Sequence, residues 1–272
     1  MANNRGDTFE TLRLATALQA KARAHGWSQE LGRSLSLHGS TLLEMGEDAR
    51  GAVLLEAAVE TYDAGSSLPL YFQAKLRLAT AWLRLQRLDD AQRAFWSLLD
   101  LSRANAYPRG EADALVGLAQ VAHSRGELDE ALHLYGQARR PELAYPGRDE
   151  APVLLGVARV RLASGDFHGA RKLVEQATAF AEDHLLVQTQ AFCQACSLLL
   201  LASSGEDTAW DATFGRLTHL LRLTRVTTAE LVADLRLAAA HARRRGEPAK
   251  AEMVVHFPDA NPTQQGYING NW

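Results

Sequence analysis

The chain has 272 residues, of which 47% are hydrophobic and 22% are charged, and its formal net charge is −3. This length suits one large domain or two small ones, and the hydrophobic share excludes a disordered protein. The weak negative charge does not favour general nucleic-acid binding, and two cysteines exclude a small disulfide-stapled secreted protein. Alanine fills about one position in six and proline is scarce, which favours helices over all-β or alternating α/β folds.

The start of the chain and its apolar runs bear on where the protein acts. Residues 1–7 are mostly polar and lead into an amphipathic segment, which is not the pattern of a signal peptide. The longest apolar run, Leu198–Ala202, is far shorter than a membrane span. We therefore expect a soluble cytoplasmic protein with no membrane partner.

Helical periodicity predicts an opening helix over residues 8–25, which caps a stack of six helix pairs. The pairs are predicted at 29–45 and 48–64, 69–85 and 88–104, 110–125 and 127–139, 149–164 and 166–182, 186–203 and 206–223, and 227–245 and 247–256. The Pro-rich segment from Arg140 to Gly147 is predicted to be a long loop between pairs. Residues 257–272 lack helical periodicity, so we expect an irregular tail there.

Within each predicted pair, the two helices are separated by a short turn that recurs along the chain. The turns centre on Gly46, Gln86, Gly126, Gly165, Gly205 and Gly246, at spacings of 40, 40, 39, 40 and 41 residues. Such a fixed period is typical of a solenoid of stacked repeats. Glycine adopts the left-handed conformation that ends a helix, and the acid after it is expected to cap the next helix. Glutamine tolerates that conformation less well, so we expect the turn at Gln86 to close differently.

Small residues also recur at fixed distances from these turns. Seven positions before a turn lie Gly39, Ala79, Ala119, Ala158 and Ala239, and five positions after it lie Gly51, Ala91, Ala131, Ala170 and Ala251. Antiparallel helices need small side chains where their backbones come closest. The pattern therefore predicts helix pairs packed through these positions.

This arrangement resembles the tetratricopeptide repeat (TPR), with a period about one helical turn longer than the usual thirty-four residues. The resemblance is carried best by residues 112–140, through Leu115, Leu118, Ala119, Ala122, Gly126, Ala131, Tyr135, Ala138 and Pro141. The unit at 191–223 is degenerate, because Trp210 stands where a small residue is expected. The resemblance implies an all-α fold, a right-handed α-solenoid of antiparallel helix pairs, as one domain over 1–257 followed by the tail 258–272.

In such a solenoid the first helix of each pair lines a concave groove. The lining positions implied by the resemblance mix apolar side chains with arginines and amides, which suits a peptide of acidic character. They are Leu76, Arg77, Thr80, Leu83, Arg84, Asp113, Val116, Gln120, His123, Leu155, Arg159, Leu162, Arg236, Leu237 and Arg243.

Two functions fit this surface. The first is an interaction scaffold or adaptor that binds a peptide or protein partner in the groove. The alternative is a regulatory sensor that binds a short peptide or ligand and changes conformation, as in the bacterial regulators and peptide pheromone receptors that such long repeats resemble. The Lys and Asn set with which some TPR proteins hold a C-terminal carboxylate is absent, which does not favour a chaperone adaptor.

Catalytic and metal-binding signatures are lacking in the sequence. The nine histidines show no metal-ligand spacing, and no nucleophile elbow, P-loop or dinucleotide fingerprint occurs. The pair Cys193 and Cys196 has the spacing of a redox couple or half a zinc site, but it lies inside an apolar helix without further ligands, which favours a structural role. We expect no enzyme activity, no metal and no cofactor.

Two further features leave alternatives open. The run Arg243–Arg245 precedes a turn, where cations stabilise the end of a helix. It also suits an acidic partner or, less well in a chain that is acidic overall, a nucleic acid. In the tail, Tyr267, Ile268 and Trp272 are hydrophobic within a polar segment. They either belong to a disordered terminus or dock in the chain's own groove or a second copy's, and a homodimer could also form through the end repeats.

Overall fold

The computed structural model describes residues 4–62, 67–139, 150–205, 208–224 and 229–260, and throughout these ranges the regular structure is α-helical. The helices form two compact units, residues 1–149 and 150–272. The single repeat domain expected over 1–257 stays a prediction, and the units are described in turn.

In the first unit, the described residues form seven helices that follow the predicted pairing. Their bounds are α1 Asn4–His25, α2 Ser28–Glu44, α3 Asp48–Thr61, α4 Leu68–Arg84, α5 Leu88–Ala104, α6 Pro108–Arg125 and α7 Leu128–Ala138. Each helix contacts the next, and in addition α2 contacts α4 and α4 contacts α6. The helices α2, α4 and α6 therefore form one layer, here called the inner layer of the first unit.

Small side chains lie where paired helices approach most closely, as predicted. A Cβ atom added to Gly39 of α2 would lie 2.9 Å from the carbonyl oxygen of Gly51 of α3, and one on Gly51 would lie equally close to the Gly39 carbonyl. In the pairs that follow, the corresponding alanines are buried. These are Ala79 and Ala91, Ala119 and Ala131, Ala158 and Ala170, and Ala239 and Ala251.

The turns inside the pairs share one geometry, including the turn at Gln86. Gly46 and Gly126 have φ of 80° and 79°, and Gln86 has φ of 58°, so all three are left-handed. The Gln86 amide donates to the Leu83 carbonyl (3.1 Å), and the Arg87 amide donates to the Trp82 carbonyl (2.8 Å). The turn at Gly46 has the same two hydrogen bonds, to the carbonyls of Leu43 and Leu42. The expectation that this turn closes differently was wrong, because the two backbone hydrogen bonds hold a non-glycine residue in the left-handed region.

Among the caps that the structure describes after Gly46, Gly126 and Gly165, the predicted capping by the acid is confirmed at Asp166. Its side chain accepts a hydrogen bond from the Gly169 amide at 2.8 Å, and this bond is the leading cause that lowers the pKa of Asp166. Glu47 and Glu127 occupy the same place before α3 and α7 but form no such bond. The longer glutamate side chain fits the cap geometry less well than aspartate.

In the second unit, the described residues form six helices. The bounds are α8 Glu150–Ala163, α9 Phe167–Asp183, α10 Val187–Ser204, α11 Trp210–Thr224, α12 Ala229–Arg244 and α13 Pro248–Ala260. Helix α10 contacts α8, α9, α11 and α12, and nearly all its residues from Ala191 to Ala202 are buried. A helix that is apolar on all sides is stable only when it is enclosed in this way.

Departures from the regular repeat concentrate in the second unit. Trp210, where the pattern calls for a small residue, is the first residue of α11 and is fully buried. Helix α12 packs directly against α10. Helix α13 continues to Ala260, past the boundary expected at 257. The predicted loop from Arg140 to Gly147 and most of the tail lie outside the described residues.

No helix in the described part of the chain combines the length and apolar character that a membrane span requires.

We predict that Gln86→Gly stabilises the protein by about 0.5–1 kcal/mol, because glycine removes the cost of the left-handed conformation without disturbing the two backbone hydrogen bonds. The converse substitution Gly126→Ala is expected to destabilise by about 1 kcal/mol. Denaturant unfolding of both variants measures these changes, and a destabilised Gln86→Gly would contradict the proposed strain.

Candidate functional site

The inner layer of the first unit contains the larger part of the predicted groove. On α4, Arg77 is exposed, while Leu76, Thr80 and Leu83 are half-buried. The Thr80 hydroxyl donates to the Leu76 carbonyl within the same helix at 2.9 Å. Arg77 forms no ion pair or hydrogen bond with the described residues. Its guanidinium is therefore available to an external acid.

Two glutamines add hydrogen-bonding capacity to this layer. Gln120 of α6 is half-buried and Gln73 of α4 is exposed, and within the described chain neither side chain has a hydrogen-bond partner. Val116 and His123 of α6 are half-buried beside Gln120 in the predicted set. A primary amide both donates and accepts, so it matches the hydrogen-bonding groups of a peptide backbone.

Arg84, also predicted to line the groove, has an internal role instead. Its Nη1 atom donates to the Leu43 carbonyl at 3.2 Å and lies 3.4 Å from Oδ1 of Asp48. The side chain thus joins the end of α4 to the turn of the preceding pair. Reversing its charge would break these contacts, so Arg84 is not a clean test of partner binding.

Arginines at two later turns act in the same way, and sequence reasoning missed this role. Arg125 donates to Gln92 at 3.0 Å and to Asp89 at 2.5 Å, and Arg245 donates to the Gly205 carbonyl at 3.1 Å. Each arginine contacts a turn segment that lies 33 to 40 residues earlier. The available signal was the recurrence of arginine one or two positions before a turn.

In the second unit, the predicted groove residues of α8 do not line an open surface. Leu155 and Leu162 are buried in the core that surrounds α10. They were expected in a groove because the repeat register was extended uniformly along the chain. In the folded unit, α10 covers this side of α8, so both leucines contribute to stability rather than to binding.

Arg159 of α8 is held by a carboxylate that the sequence did not indicate. Its Nε and Nη2 atoms bind the two oxygens of Asp234 on α12 at 2.9 and 2.6 Å, a bidentate ion pair. The side chains are 21% and 4% exposed. This pair links α8 to α12 and excludes Arg159 from the residues that can receive an external acid.

The remaining predicted residues of α12 are exposed. Arg236, Leu237 and Arg243 lie on the side of the helix that faces solvent, and Leu237 is 51% exposed. The tail residues Tyr267, Ile268 and Trp272 lie outside the described residues, so their docking and a tail-mediated dimer stay predictions.

The cysteine pair has the environment of buried structural thiols. Cys193 and Cys196 are free and buried in α10. Burial raises the pKa of Cys193 to about 11 and that of Cys196 to about 12. Among the described residues, no group of three or more His, Cys, Asp or Glu side chains is placed to hold a metal ion.

We predict that neither thiol reacts with a disulfide reagent at pH 8 until the second unit unfolds, because the reactive thiolate is disfavoured by burial. Below pH 9 the two protonated thiols make their full contribution to the free energy of unfolding. That contribution is lost as the pH rises from 9 towards the folded pKa values of about 11 and 12, because the unfolded state then releases its thiol protons more readily. Labelling rates with and without denaturant measure reactivity, and rapid labelling of the native protein would rule out the burial described here.

We predict that Asp234→Asn destabilises the protein by about 3 kcal/mol, because it leaves the guanidinium of Arg159 without its charge partner inside the unit. The matched control is Asp211→Asn, which removes an exposed carboxylate from α11. The double variant Arg159→Met with Asp234→Leu should recover much of the loss. Thermal unfolding followed by circular dichroism checks all three, and equal melting of Asp234→Asn and the control would refute the pairing.

Comparisons with known proteins identify the fold. No protein-family model matches the chain, and no curated protein matches it. Among solved structures, the chain is similar to a Rap protein complexed with competence and sporulation factor, with a TM-score of 0.64 and 11% identity over 88% of this chain and 76% of the other. It is also similar to the Rap conjugation gene regulator of the plasmid pLS20 in complex with the Phr* peptide, with a TM-score of 0.67 and 14% identity over 99% and 79% of the two chains.

A third similar structure contains the repeat itself. The nearly identical TPR-like repeats of a Podosopora anserina kinesin light chain match with a TM-score of 0.51 and 16% identity, over 73% of this chain and 97% of the other. Identities this low establish the fold and not the function. The all-helical pairing, the left-handed turns and these structural matches agree, and the chain has the TPR-type helical-repeat fold.

Proposed function

We propose that the chain is a peptide-binding adaptor or regulator that acts in the cytoplasm through a protein partner and has no catalytic activity of its own. The binding surface is the inner layer of the first unit, centred on Arg77. The observation that carries this proposal is that Arg77, Gln73 and Gln120 have no hydrogen-bond or ion-pair partner among the described residues, whereas Arg84 and Arg159 do.

The chemistry of this surface favours an extended peptide with an acidic residue. The amides of Gln73 and Gln120 can bind the donors and acceptors of a peptide backbone. The guanidinium of Arg77 can bind a carboxylate in two parallel hydrogen bonds. Half-buried Leu76, Leu83 and Val116 would contact the apolar side chains of the peptide.

The solved structures of similar fold support a peptide ligand. Two of them are complexes, one with competence and sporulation factor and the other with the Phr* peptide. The two matches cover 88% and 99% of this chain. At 11% and 14% identity no binding residue is transferred, so the similarity supports the class of ligand and leaves its sequence open.

We predict that Arg77→Glu weakens peptide binding at least tenfold, a loss of about 1.4 kcal/mol or more, because the charge that receives the peptide acid is reversed. The probe is a fluorescein-labelled dodecapeptide, selected on the purified full chain from a phage-displayed random library. Gln120→Ala should weaken binding severalfold, and fluorescence anisotropy measures both.

The matched control is Arg93→Glu, which reverses an exposed charge on the outer helix α5 and should change the affinity by less than twofold. Selected peptides without an excess of acidic residues, or equal effects of Arg77→Glu and Arg93→Glu, would remove the basis of the proposal. Unchanged melting of the Arg77→Glu variant confirms that the loss is one of binding.

The adaptor and the sensor differ in what the peptide does to the chain. A sensor changes its conformation on binding, whereas an adaptor does not, since a ligand shifts a conformational equilibrium only by its differential affinity for the two states. Small-angle scattering with a saturating amount of the selected dodecapeptide separates them. Ligand-dependent compaction assigns a sensor, and an unchanged radius of gyration assigns an adaptor.

A further inference from the structure

Helix α12 has one side buried in the second unit and one side exposed. Leu231, Leu235, Ala238, Ala239 and Ala242 form the buried side. The exposed side contains residues three, four and seven positions apart, which is the spacing of a single helix face. Its members are Ala233, Arg236, Leu237, Arg243 and Arg244, with Ala240 half-buried among them. We call this set the α12 face.

The cations of this face are not used by the unit itself. Arg236, Arg243 and Arg244 form no ion pair or hydrogen bond with any side chain that the structure describes. The neighbouring Arg245, by contrast, donates to the Gly205 carbonyl and lies 3.3 Å from Glu247. The run Arg243–Arg245 therefore contains one arginine with an internal structural role, Arg245, and two that can bind a partner, Arg243 and Arg244.

Among the α12 side chains that the structure describes, from Leu231 to Arg244, no exposed carboxylate offsets these charges. The one acid within that range, Asp234, is buried and bound to Arg159. Arg243 and Arg244 lie in the last turn, where cations stabilise the helix by their position alone. That explanation does not extend to Arg236, which lies two turns earlier, about 10 Å along the axis from Arg243.

An exposed leucine completes the pattern. Leu237 is 51% exposed and lies on the α12 face between Arg236 and the last turn of the helix. The small side chains of Ala233 and Ala240 lie one turn before it and one turn after it. Small residues leave room for a second backbone to approach a helix closely. A surface with cations around an apolar centre is complementary to a segment that has acidic and apolar residues on the same side, because the acids pair with the cations and the apolar residues pack on the centre.

We propose that the α12 face binds an acidic amphipathic helix of a protein partner, with its carboxylates on Arg236, Arg243 and Arg244 and an apolar side chain on Leu237. The chain as a whole has a net charge of −3, so this basic face is opposite in sign to the remaining surface. Three cations without exposed aromatic side chains are fewer contacts than duplex DNA binding requires, which favours a protein over a nucleic acid. This surface lies in the second unit, and the proposal does not depend on peptide binding by the first.

The probe is a fluorescein-labelled, capped sixteen-residue peptide with Glu and Leu spaced to share one helix face. A second peptide with Gln in place of Glu and a fluorescein-labelled 20-base-pair duplex of arbitrary sequence complete the set. Binding to the full chain is measured by anisotropy at 50 and 200 mM salt. The test variant is Arg236→Glu, Arg243→Glu and Arg244→Glu together. The matched control reverses three exposed arginines elsewhere, Arg93 of α5, Arg222 of α11 and Arg139 just after the end of α7.

The acidic peptide should bind the unmodified chain more tightly than the Gln peptide, and more weakly at 200 than at 50 mM salt. The triple α12 variant should lose at least tenfold in affinity, the control triple less than threefold, and Leu237→Ala two- to fivefold. The α12 variants are also compared on an Arg77→Glu background, which removes binding of the acidic peptide by the first unit, and the tenfold loss should persist there. Equal affinity for the Gln peptide, equal loss in the two triple variants, or tighter binding of the duplex would overturn the proposal.

The triple variant is compared with the control triple by circular dichroism and thermal unfolding before binding is measured. Its substituted side chains are exposed, so the expected change in melting is small and limited to the loss of cations at the end of α12. The single variant Arg236→Glu leaves the last turn of α12 unchanged, so its affinity for the acidic peptide is an independent second test. It should still weaken the acidic peptide at least threefold, and an unchanged affinity would count against the proposal even if the triple variant unfolds.

Discussion

The close approach of paired helices is the constraint on which the rest of the structure depends. At Gly39 and Gly51 the two backbones come so near that a methyl group on either residue would lie 2.9 Å from the carbonyl oxygen of the other helix. Alanine serves the same purpose in later pairs. Because the small residues and the left-handed turns share one period, the pairs of the first unit are set in the same register, and their inner helices lie side by side in one layer.

Arginine has two distinct roles in this framework, and only the contacts separate them. Arg84, Arg125 and Arg245 bind carbonyl or carboxylate groups at the turn of an earlier pair, so they fasten successive repeats together. Arg77 and Arg236 have no such partner in the described chain. The arginine excess of the composition is therefore partly structural, and the candidate binding surfaces are identified by the arginines that the fold leaves unused.

The two units use their inner helices differently. In the first, the sides of α4 and α6 that contain Arg77, Gln120 and Val116 are partly open to solvent. In the second, α10 is enclosed by its neighbours, and the ion pair between Arg159 and Asp234 joins α8 to α12. A uniform repeat pattern therefore does not produce a uniform surface. In the second unit the apolar helix α10 is buried among its neighbours, so it forms part of the core instead of an exposed inner layer.

The sequence by itself determined the helices, their pairing and the small residues between them, because these follow from local periodicity and from turns that recur every forty residues. Even the buried state of Cys193 and Cys196 followed from an apolar helix. Only the tertiary structure decided which polar residues remain available, because Arg159 and Asp234 are 75 positions apart and Arg84 reaches a carbonyl 41 positions away. No local pattern encodes such distant partners. Nor does a uniform repeat register show that α10 covers the side of α8 on which Leu155 and Leu162 lie, because that enclosure arises only when the second unit packs.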